Sequence, residues 1–281
     1  MRAPGDSLVS LSTHRSILIQ WIRMKSTDAY SILAAAGHLG PVPIDTVANA
    51  LGLSNSQASD TVSRMVSMGL ATRIRRGLVL LKPPAEIGTP ALGADAHRAA
   101  LAVADPAQSY LGFYTALHHH SQVLRPATTI FVATTSRRRS RTLGGTSVRF
   151  VTVNPKRLFG IEMVGGLRWS DPERTLVDGL ARPEYCGRLD VVVGAFHRSG
   201  SAFDVERFRS YLERYGVISV AKRGEYVLDR LGLGSDSKPA PLATRRLRHY
   251  VPLDPSGPAT GEQIPKWEVI DNIPRRAWHG D

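Results

Sequence analysis

Apolar residues in the N-terminal part of the chain recur every three or four positions, the spacing that places side chains on one face of a helix. Helices are predicted over four segments: 13–25, 29–39, 44–51 and 55–68. Ser54 is an N-cap candidate for the last of these helices. Gly52 ends the helix before it, where a residue with positive φ is useful.

The period of the apolar residues changes to two after these helices. Two short apolar segments, 70–74 and 78–81, flank the turn Arg75-Arg76-Gly77 and predict a β-hairpin. Three helices, the second and third joined by a short glycine turn and followed at once by a basic hairpin, are the order of a winged helix-turn-helix. We therefore predict this DNA-binding fold over residues 1–84.

Residues 85–94 are rich in proline and glycine, which indicates a linker between domains. In the second domain, residues 95–233, helices at the start are followed by strands and then by further helices, with a break at Asp105-Pro106. The predicted elements are a helix over 110–120, strands over 128–134, 147–153 and 159–164, and helices over 172–181, 189–196, 204–215 and 217–231. Strands followed by helices predict a mixed α+β domain with a small sheet.

Residues 234–281 contain mostly Pro, Gly, Ser and scattered charges. This composition predicts an extended C-terminal tail with disordered portions and room for one added strand.

Composition adds a strong arginine excess to this picture. The 281 residues carry 36 Lys and Arg against 24 Asp and Glu, a net charge of +12, and only six of the basic residues are Lys. The planar guanidinium group favours phosphate partners. With 42% hydrophobic and 21% charged residues, the chain has enough apolar surface for packed cores.

The single Cys186 excludes an internal disulfide and the multi-cysteine zinc modules, and it indicates a reducing cytoplasm. The most hydrophobic early stretch, residues 17–22, is too short for a signal core or a membrane span and already contains Gln20. We therefore expect a cytoplasmic protein without membrane contact.

The third helix and the hairpin carry the candidate DNA contacts. On the side opposite Ala58, Val62 and Val66, the helix presents polar residues able to bond base edges or phosphates: Asn55, Ser56, Gln57, Asp60, Thr61 and Arg64. Three wing arginines follow with no acid between residues 70 and 82: Arg73, Arg75 and Arg76. Such a wing touches phosphate or enters a minor groove. The alternative interpretation is an ordinary solvated helix face.

The densest basic run lies between two predicted strands of the second domain: Arg137, Arg138, Arg139 and Arg141. We interpret it as a second phosphate contact, to DNA beside the wing or to an RNA. The alternative is a solvated turn.

Other chemistry is weakly indicated. His118, His119 and His120 are consecutive, so on a helix they point about 100° apart, and we interpret them as a helix C-terminus with favourable dipole contacts rather than a metal site. Asp171, Glu173 and Asp178 are candidate catalytic carboxylates, but Ser170 to Glu173 also has the spacing of a capping box at a helix start. No phosphate loop, nucleophile elbow or metal motif is present, so we expect neither an enzyme nor a cofactor.

Four features in this order resemble the AbiEi family, the antitoxins of AbiE-type bacterial toxin–antitoxin systems, over about residues 28–232. They are the basic hairpin with Arg75-Arg76-Gly77, the helix with Tyr114-Thr115-Ala116-Leu117-His118-His119, the strand with Arg149-Phe150, and Asp171-Pro172-Glu173-Arg174-Thr175-Leu176-Val177-Asp178 before Pro183-Glu184-Tyr185-Cys186-Gly187.

The resemblance implies a winged helix that represses the operon's own promoter by binding inverted repeats in its double-stranded DNA. It also implies a C-terminal domain that counters a nucleotidyltransferase-like toxin encoded by the neighbouring gene. The groove contacts would be Asn55, Gln57, Thr61 and Arg64, and the protein would be free to bind a palindrome as a dimer. The alternative function is a protein- or RNA-interaction module in which the winged helix is only a scaffold.

Overall fold

A computed structural model of the chain describes residues 24–87, 96–234 and 238–279. The chain divides into two compact units, Met1–Asp95 and Ala96–Asp281. The helix predicted over 13–25 and most of the predicted linker lie outside the described residues. Among the described residues, no helix is long and apolar enough to cross a membrane.

The first unit contains three helices and a three-stranded antiparallel sheet. In chain order the elements are α1 (Ser26–Ala35), β1 (Gly40–Pro43), α2 (Ile44–Leu51), α3 (Asn55–Ser67), β2 (Ala71–Arg75) and β3 (Leu78–Leu81). The predicted helices and hairpin are present, with Gly52 in the left-handed conformation (φ 64°) at the end of α2. The strand order is β1-β3-β2.

Strand β1 is absent from the sequence prediction, in which the helix corresponding to α1 spans residues 29–39. The helix instead ends at Ala35, and Gly40–Pro43 pairs with β3 from Gly40 opposite Leu81 to Pro43 opposite Leu78. All four residues of β3 are buried, so the strand is covered on both sides. Two prolines fit β1 because it lies at the sheet edge, where a missing N–H is tolerated.

The second unit is built on a six-stranded sheet with strand order β6-β7-β5-β4-β9-β8. The strands are β4 (Ser109–Leu111), β5 (Thr129–Thr134), β6 (Arg141–Leu143), β7 (Thr146–Thr152), β8 (Ile161–Val164) and β9 (Leu167–Ser170). The pairs β5–β7 and β4–β9 are parallel and the other pairs are antiparallel. The expected mixed α+β class is thereby confirmed.

The helices of this unit are α4 (Ala96–Val103), α5 (Phe113–His119), α6 (Pro172–Ala181), α7 (Leu189–Ser199), α8 (Val205–Tyr215) and α9 (Ile218–Arg230). The predicted helix over 110–120 is wrong in its first part, which is strand β4. Gly112 separates the two elements in an extended conformation, and a Cβ there would meet the Tyr110 ring at 2.9 Å. The small strands β6 and β9 are also missing from the prediction.

The predicted start of α6 differs in its capping residue. Asp171, not Ser170, is the N-cap, and its carboxylate accepts from the backbone N–H of Arg174 at 2.8 Å. The Ser170 hydroxyl instead lies 2.7 Å from the Thr175 hydroxyl.

The predicted extended tail is wrong for residues 238–279. This segment forms a short helix α10 (Pro241–Thr244) and a sheet of β10 (Val251–Pro252), β11 (Glu262–Ile264) and β12 (Val269–Asp271). Leu253, Trp267, Val269 and Trp278 are buried in the same core as α6–α9. These apolar residues follow neither the helical nor the strand period along the sequence, so periodicity does not predict their packing.

Candidate nucleic-acid interface

Helix α3 begins with a complete capping box. The Ser54 hydroxyl accepts from the Gln57 backbone N–H at 3.3 Å, and the Gln57 side-chain oxygen accepts from the Ser54 N–H at 3.0 Å. The box satisfies two backbone donors that a helix start leaves unpaired. Gln57 is exposed, but its carbonyl oxygen is engaged, so its amide N–H groups are what remains for a base or phosphate. A contact of Gln57 with adenine through both its carbonyl oxygen and its amide nitrogen would need the box to open.

Five of the six candidate residues on α3 are exposed: Asn55, Ser56, Gln57, Asp60 and Arg64. Thr61 is the exception, because it is only 5% exposed and lies in the buried stripe with Ala58, Val62 and Met65. Its hydroxyl accepts from Arg64 Nη2 at 3.2 Å. Thr61 therefore orients Arg64 rather than facing outward, which corrects its predicted position.

A hydrogen bond joins the hairpin to α3. Arg73 Nη2 on β2 donates to the Ser63 hydroxyl at 3.0 Å, and both side chains are exposed. Ile74 is buried between the exposed Arg73 and Arg75, at the irregularity where the register of β2 against β3 shifts. The polar side of α3 and the arginines of the hairpin thus form one surface, which we call the basic surface: Asn55, Ser56, Gln57, Ser63, Arg64, Arg73, Arg75 and Arg76.

The guanidinium groups of the basic surface bond to neutral oxygen atoms. Arg64 and Arg73 donate to hydroxyl groups, and Arg75 Nη1 donates to the Arg76 carbonyl at 3.4 Å. Within residues 24–87, no ion pair with a carboxylate engages any of the four arginines. Their positive charge is therefore available to a phosphate backbone.

The second arginine group belongs to the second unit, in the loop from β5 to β6. Arg137, Arg139 and Arg141 are exposed, and Arg141 starts β6 opposite Val148. Arg138 is half-buried, and among the described residues its buried Nε has no hydrogen-bond partner. The structure thus keeps this loop exposed, as a phosphate contact requires.

The three candidate catalytic carboxylates are held by donors of the protein interior. Asp178 accepts from Arg174 and from the Tyr110 hydroxyl, each at 2.9 Å, and all three side chains are buried. Burial and the Asp178 charge raise the pKa of Tyr110, which keeps this hydroxyl protonated as a donor.

Asp171 accepts from the Tyr211 hydroxyl at 2.7 Å, and Glu173 accepts from the Asp204 backbone N–H at 3.0 Å. These contacts connect α6 to α8. The carboxylates therefore contribute to the packing of the core. Cys186 is also buried there, and its burial raises the pKa of the thiol.

The three histidines differ in their surroundings. His118 and His119 are exposed, whereas His120, the residue after α5, is half-buried with Nε2 2.7 Å from the Ser170 carbonyl oxygen. His119 stacks on Trp169 with ring centroids 3.9 Å apart. The expectation that neighbouring histidines cannot approach one ion is corrected, because the helix ends here and His119, His120 and Glu162 place ligand atoms within 4.8 Å of one another.

No protein family and no curated protein matches the chain. One solved structure with a similar fold is the Rv2827c protein from Mycobacterium tuberculosis. The two sequences are 19% identical, the TM-score is 0.63, and the alignment covers 90% of this chain and 92% of that chain. At this identity the similarity shows a shared fold.

Proposed function

We propose that the protein is a sequence-specific DNA-binding repressor that also acts as an antitoxin. In this proposal the first unit is a winged helix-turn-helix, with α3 as the recognition helix and the β2–β3 hairpin as the wing. The repressor binds the promoter of its own operon, and the second unit counters a nucleotidyltransferase-type toxin encoded beside it.

The hydrogen bond from Arg73 to Ser63 is the observation that carries the DNA-binding part. It aligns the arginine-bearing strand with the exposed side of α3, so one duplex can meet base-reading and phosphate-binding groups together. If α3 were only a solvated helix face, nothing would require arginines without carboxylate partners to lie beside it.

The division of labour on this surface follows from chemistry. Asn55, Gln57 and Arg64 carry side-chain groups that distinguish base edges, whereas Arg75 and Arg76 at the tip of the hairpin supply charge that is insensitive to sequence. The exposed loop of Arg137, Arg138, Arg139 and Arg141 supplies a second phosphate contact.

The antitoxin part rests on the AbiEi resemblance, whose motif around Asp171 and Asp178 builds the core of the second unit. We assign toxin neutralisation to this unit, and promoter binding to the first.

The decisive experiment is fluorescence anisotropy of the full chain with DNA from immediately upstream of its gene and with shuffled DNA, each at low and near-physiological salt. A preference of about a thousandfold or more for the upstream DNA that persists at the higher salt supports the repressor. Equal binding to both DNAs that collapses with salt would reduce the protein to a charge-driven phosphate binder and contradict the proposal.

The wing assignment is tested in the same assay with Arg75→Ala/Arg76→Ala. Loss of two phosphate contacts lowers affinity for both DNAs and makes the salt slope shallower by about 1.8. The matched control is Arg275→Ala/Arg276→Ala, an exposed consecutive pair of the second unit with the same charge change. If the two double variants lose affinity equally, the loss comes from the change in net charge, and the wing assignment is wrong.

A further inference from the structure

The end of α5 and the β8–β9 hairpin bring nitrogen and oxygen ligand atoms to one place. His119, His120 and Glu162 each have one potential ligand atom, and these atoms lie within 4.8 Å of one another. Two imidazoles and a carboxylate are a ligand set typical of Zn²⁺. Glu162 lies 42 positions after His120 and 43 after His119. No short sequence motif therefore identifies the three residues as one ligand set.

The hairpin determines where the three side chains lie. Glu162 on β8 is directly opposite Trp169 on β9, and opposite residues of an antiparallel pair share one face of the sheet. His119 stacks on the Trp169 ring, with an angle of 12° between the planes, so it lies beside Glu162. The next residue of β9, Ser170, holds His120 through its carbonyl oxygen.

The contact with the Ser170 carbonyl suits a metal ligand. When His120 Nε2 donates its proton to this oxygen, Nδ1 keeps a lone pair, and histidine ligands usually have such a second partner that fixes the ring. The ring is therefore oriented before any ion binds.

The three ligand atoms lie within 4.8 Å of one another, so a small inward movement is enough for them to bind one ion. Zinc bonds of roughly 2.0–2.2 Å in a tetrahedron put ligand atoms about 3.4 Å apart. The nitrogen bonded to Ser170, His120 Nε2, is 3.9 Å from Glu162 Oε1, too far for a hydrogen bond, so it leaves the carboxylate unbonded to the ring. The Glu162 side chain is 41% exposed and free to rotate inward.

We propose that His119, His120 and Glu162 bind one divalent transition-metal ion of the zinc class, with the remaining coordination position open to solvent. The ion joins the end of α5 to the β8–β9 hairpin, so it stabilises the second unit. This site is independent of DNA binding by the first unit.

The test is calorimetric titration of the full chain with ZnCl₂, using protein purified without a polyhistidine tag and stripped with EDTA. Wild-type protein is expected to bind one Zn²⁺ per chain. His120→Gln and Glu162→Gln are each expected to weaken this binding about tenfold or more. The midpoint of thermal unfolding rises with Zn²⁺ in the wild type and stays nearly constant in both variants.

His118→Gln is the matched control, since His118 is the adjacent exposed histidine of the same helix and is outside the ligand set. Its affinity for Zn²⁺ is expected to match the wild type. Circular dichroism verifies that each variant is folded. The proposal is overturned if wild-type protein shows no saturable one-to-one binding, or if His118→Gln loses as much affinity as His120→Gln, which identifies a non-specific histidine cluster.

Discussion

Arginine is used in opposite ways on the hairpin surface of the first unit and in the core of the second unit. In the first unit, Arg64, Arg73, Arg75 and Arg76 are exposed, and the first three donate to neutral oxygen atoms. In the second unit, Arg174 is wholly buried, where it donates to Asp178, to the Tyr110 hydroxyl and to backbone carbonyls.

The same residue type is therefore left exposed in one place and stabilises the fold in the other. A buried guanidinium must satisfy its donors within the protein, because an unpaired charge in the interior is very costly. An exposed guanidinium without a carboxylate partner keeps its charge for a ligand. The net charge of +12 thus overstates the positive charge that is available to any ligand.

The largest effect is expected from Arg174→Met. Removing the guanidinium leaves Asp178 buried without its cation, so the free energy of unfolding of the second unit falls by about 3–5 kcal/mol. Tryptophan fluorescence during urea denaturation measures this, since Trp169, Trp267 and Trp278 belong to the second unit.

Arg139→Met is the control for this substitution, since Arg139 is an exposed arginine of the same unit, and it is expected to change stability by less than about 0.5 kcal/mol. Equal losses in the two variants would remove the distinction between buried and exposed arginines.

A second test asks whether the exposed arginines of the second unit join the DNA contact. Arg137→Ala/Arg139→Ala is expected to make the salt slope of promoter binding shallower by about 1.8, with the preference for promoter over shuffled DNA unchanged. Anisotropy titrations at several salt concentrations measure both quantities. An unchanged salt slope would mean that only the first unit contacts DNA. The loop with Arg137 and Arg139 would then be a candidate for the alternative function, contact with an RNA or a protein.

A smaller effect is expected from Ser54→Ala, which removes half of the capping box. Helix α3 loses about 1 kcal/mol of stability, because the backbone N–H of Gln57 loses its acceptor. Native-state hydrogen exchange of the α3 amides measures the change. Ser56→Ala, an exposed position on the same turn without a capping role, is the control and should leave the exchange rates nearly unchanged. Similar acceleration in both variants would show that the cap is not the cause.

A pH dependence of stability is expected from Glu268. A hydrogen bond from the Leu247 N–H and contacts with Lys222 lower the pKa of this carboxyl to about 2. Because the pKa is depressed on folding, the stabilisation is present above the ordinary glutamate pKa and is lost as the pH falls through about 2. Glu268→Gln should flatten stability against pH in this window, as followed by fluorescence. If the variant keeps the wild-type slope of stability against pH, Glu268 is not the source of that slope.

Local signals placed most helices correctly. Helix α2 lies where the apolar spacing predicts it, and Ser54 caps α3, because both features depend on neighbours within one turn. The exposure of Asn55 and Arg64 follows from the same periodicity. Thr61 was misplaced because a threonine at a core-facing position looks polar in the sequence, while its methyl group and its bond to Arg64 suit a buried site.

Long-range partners explain what the sequence missed. Strand β1 needs β3 as its neighbour, β9 needs both β4 and β8, and Glu162 reaches His120 only through the hairpin that follows it. Sequence spacing carries no information on such pairings, which depend on where distant segments are packed.

Taken alone, the sequence determined the mixed α and β content, the helices that follow the hydrophobic period, and the arginine-rich hairpin, since each rests on nearest-neighbour chemistry. The tertiary structure decided which arginines are paired, because that depends on burial. It also decided that residues 238–279 complete the core, where Trp267 donates to Asp229 and Trp278 donates to Asp271. Large aromatic side chains bury enough apolar area to hold an irregular segment in place, and only their partners in the fold reveal it.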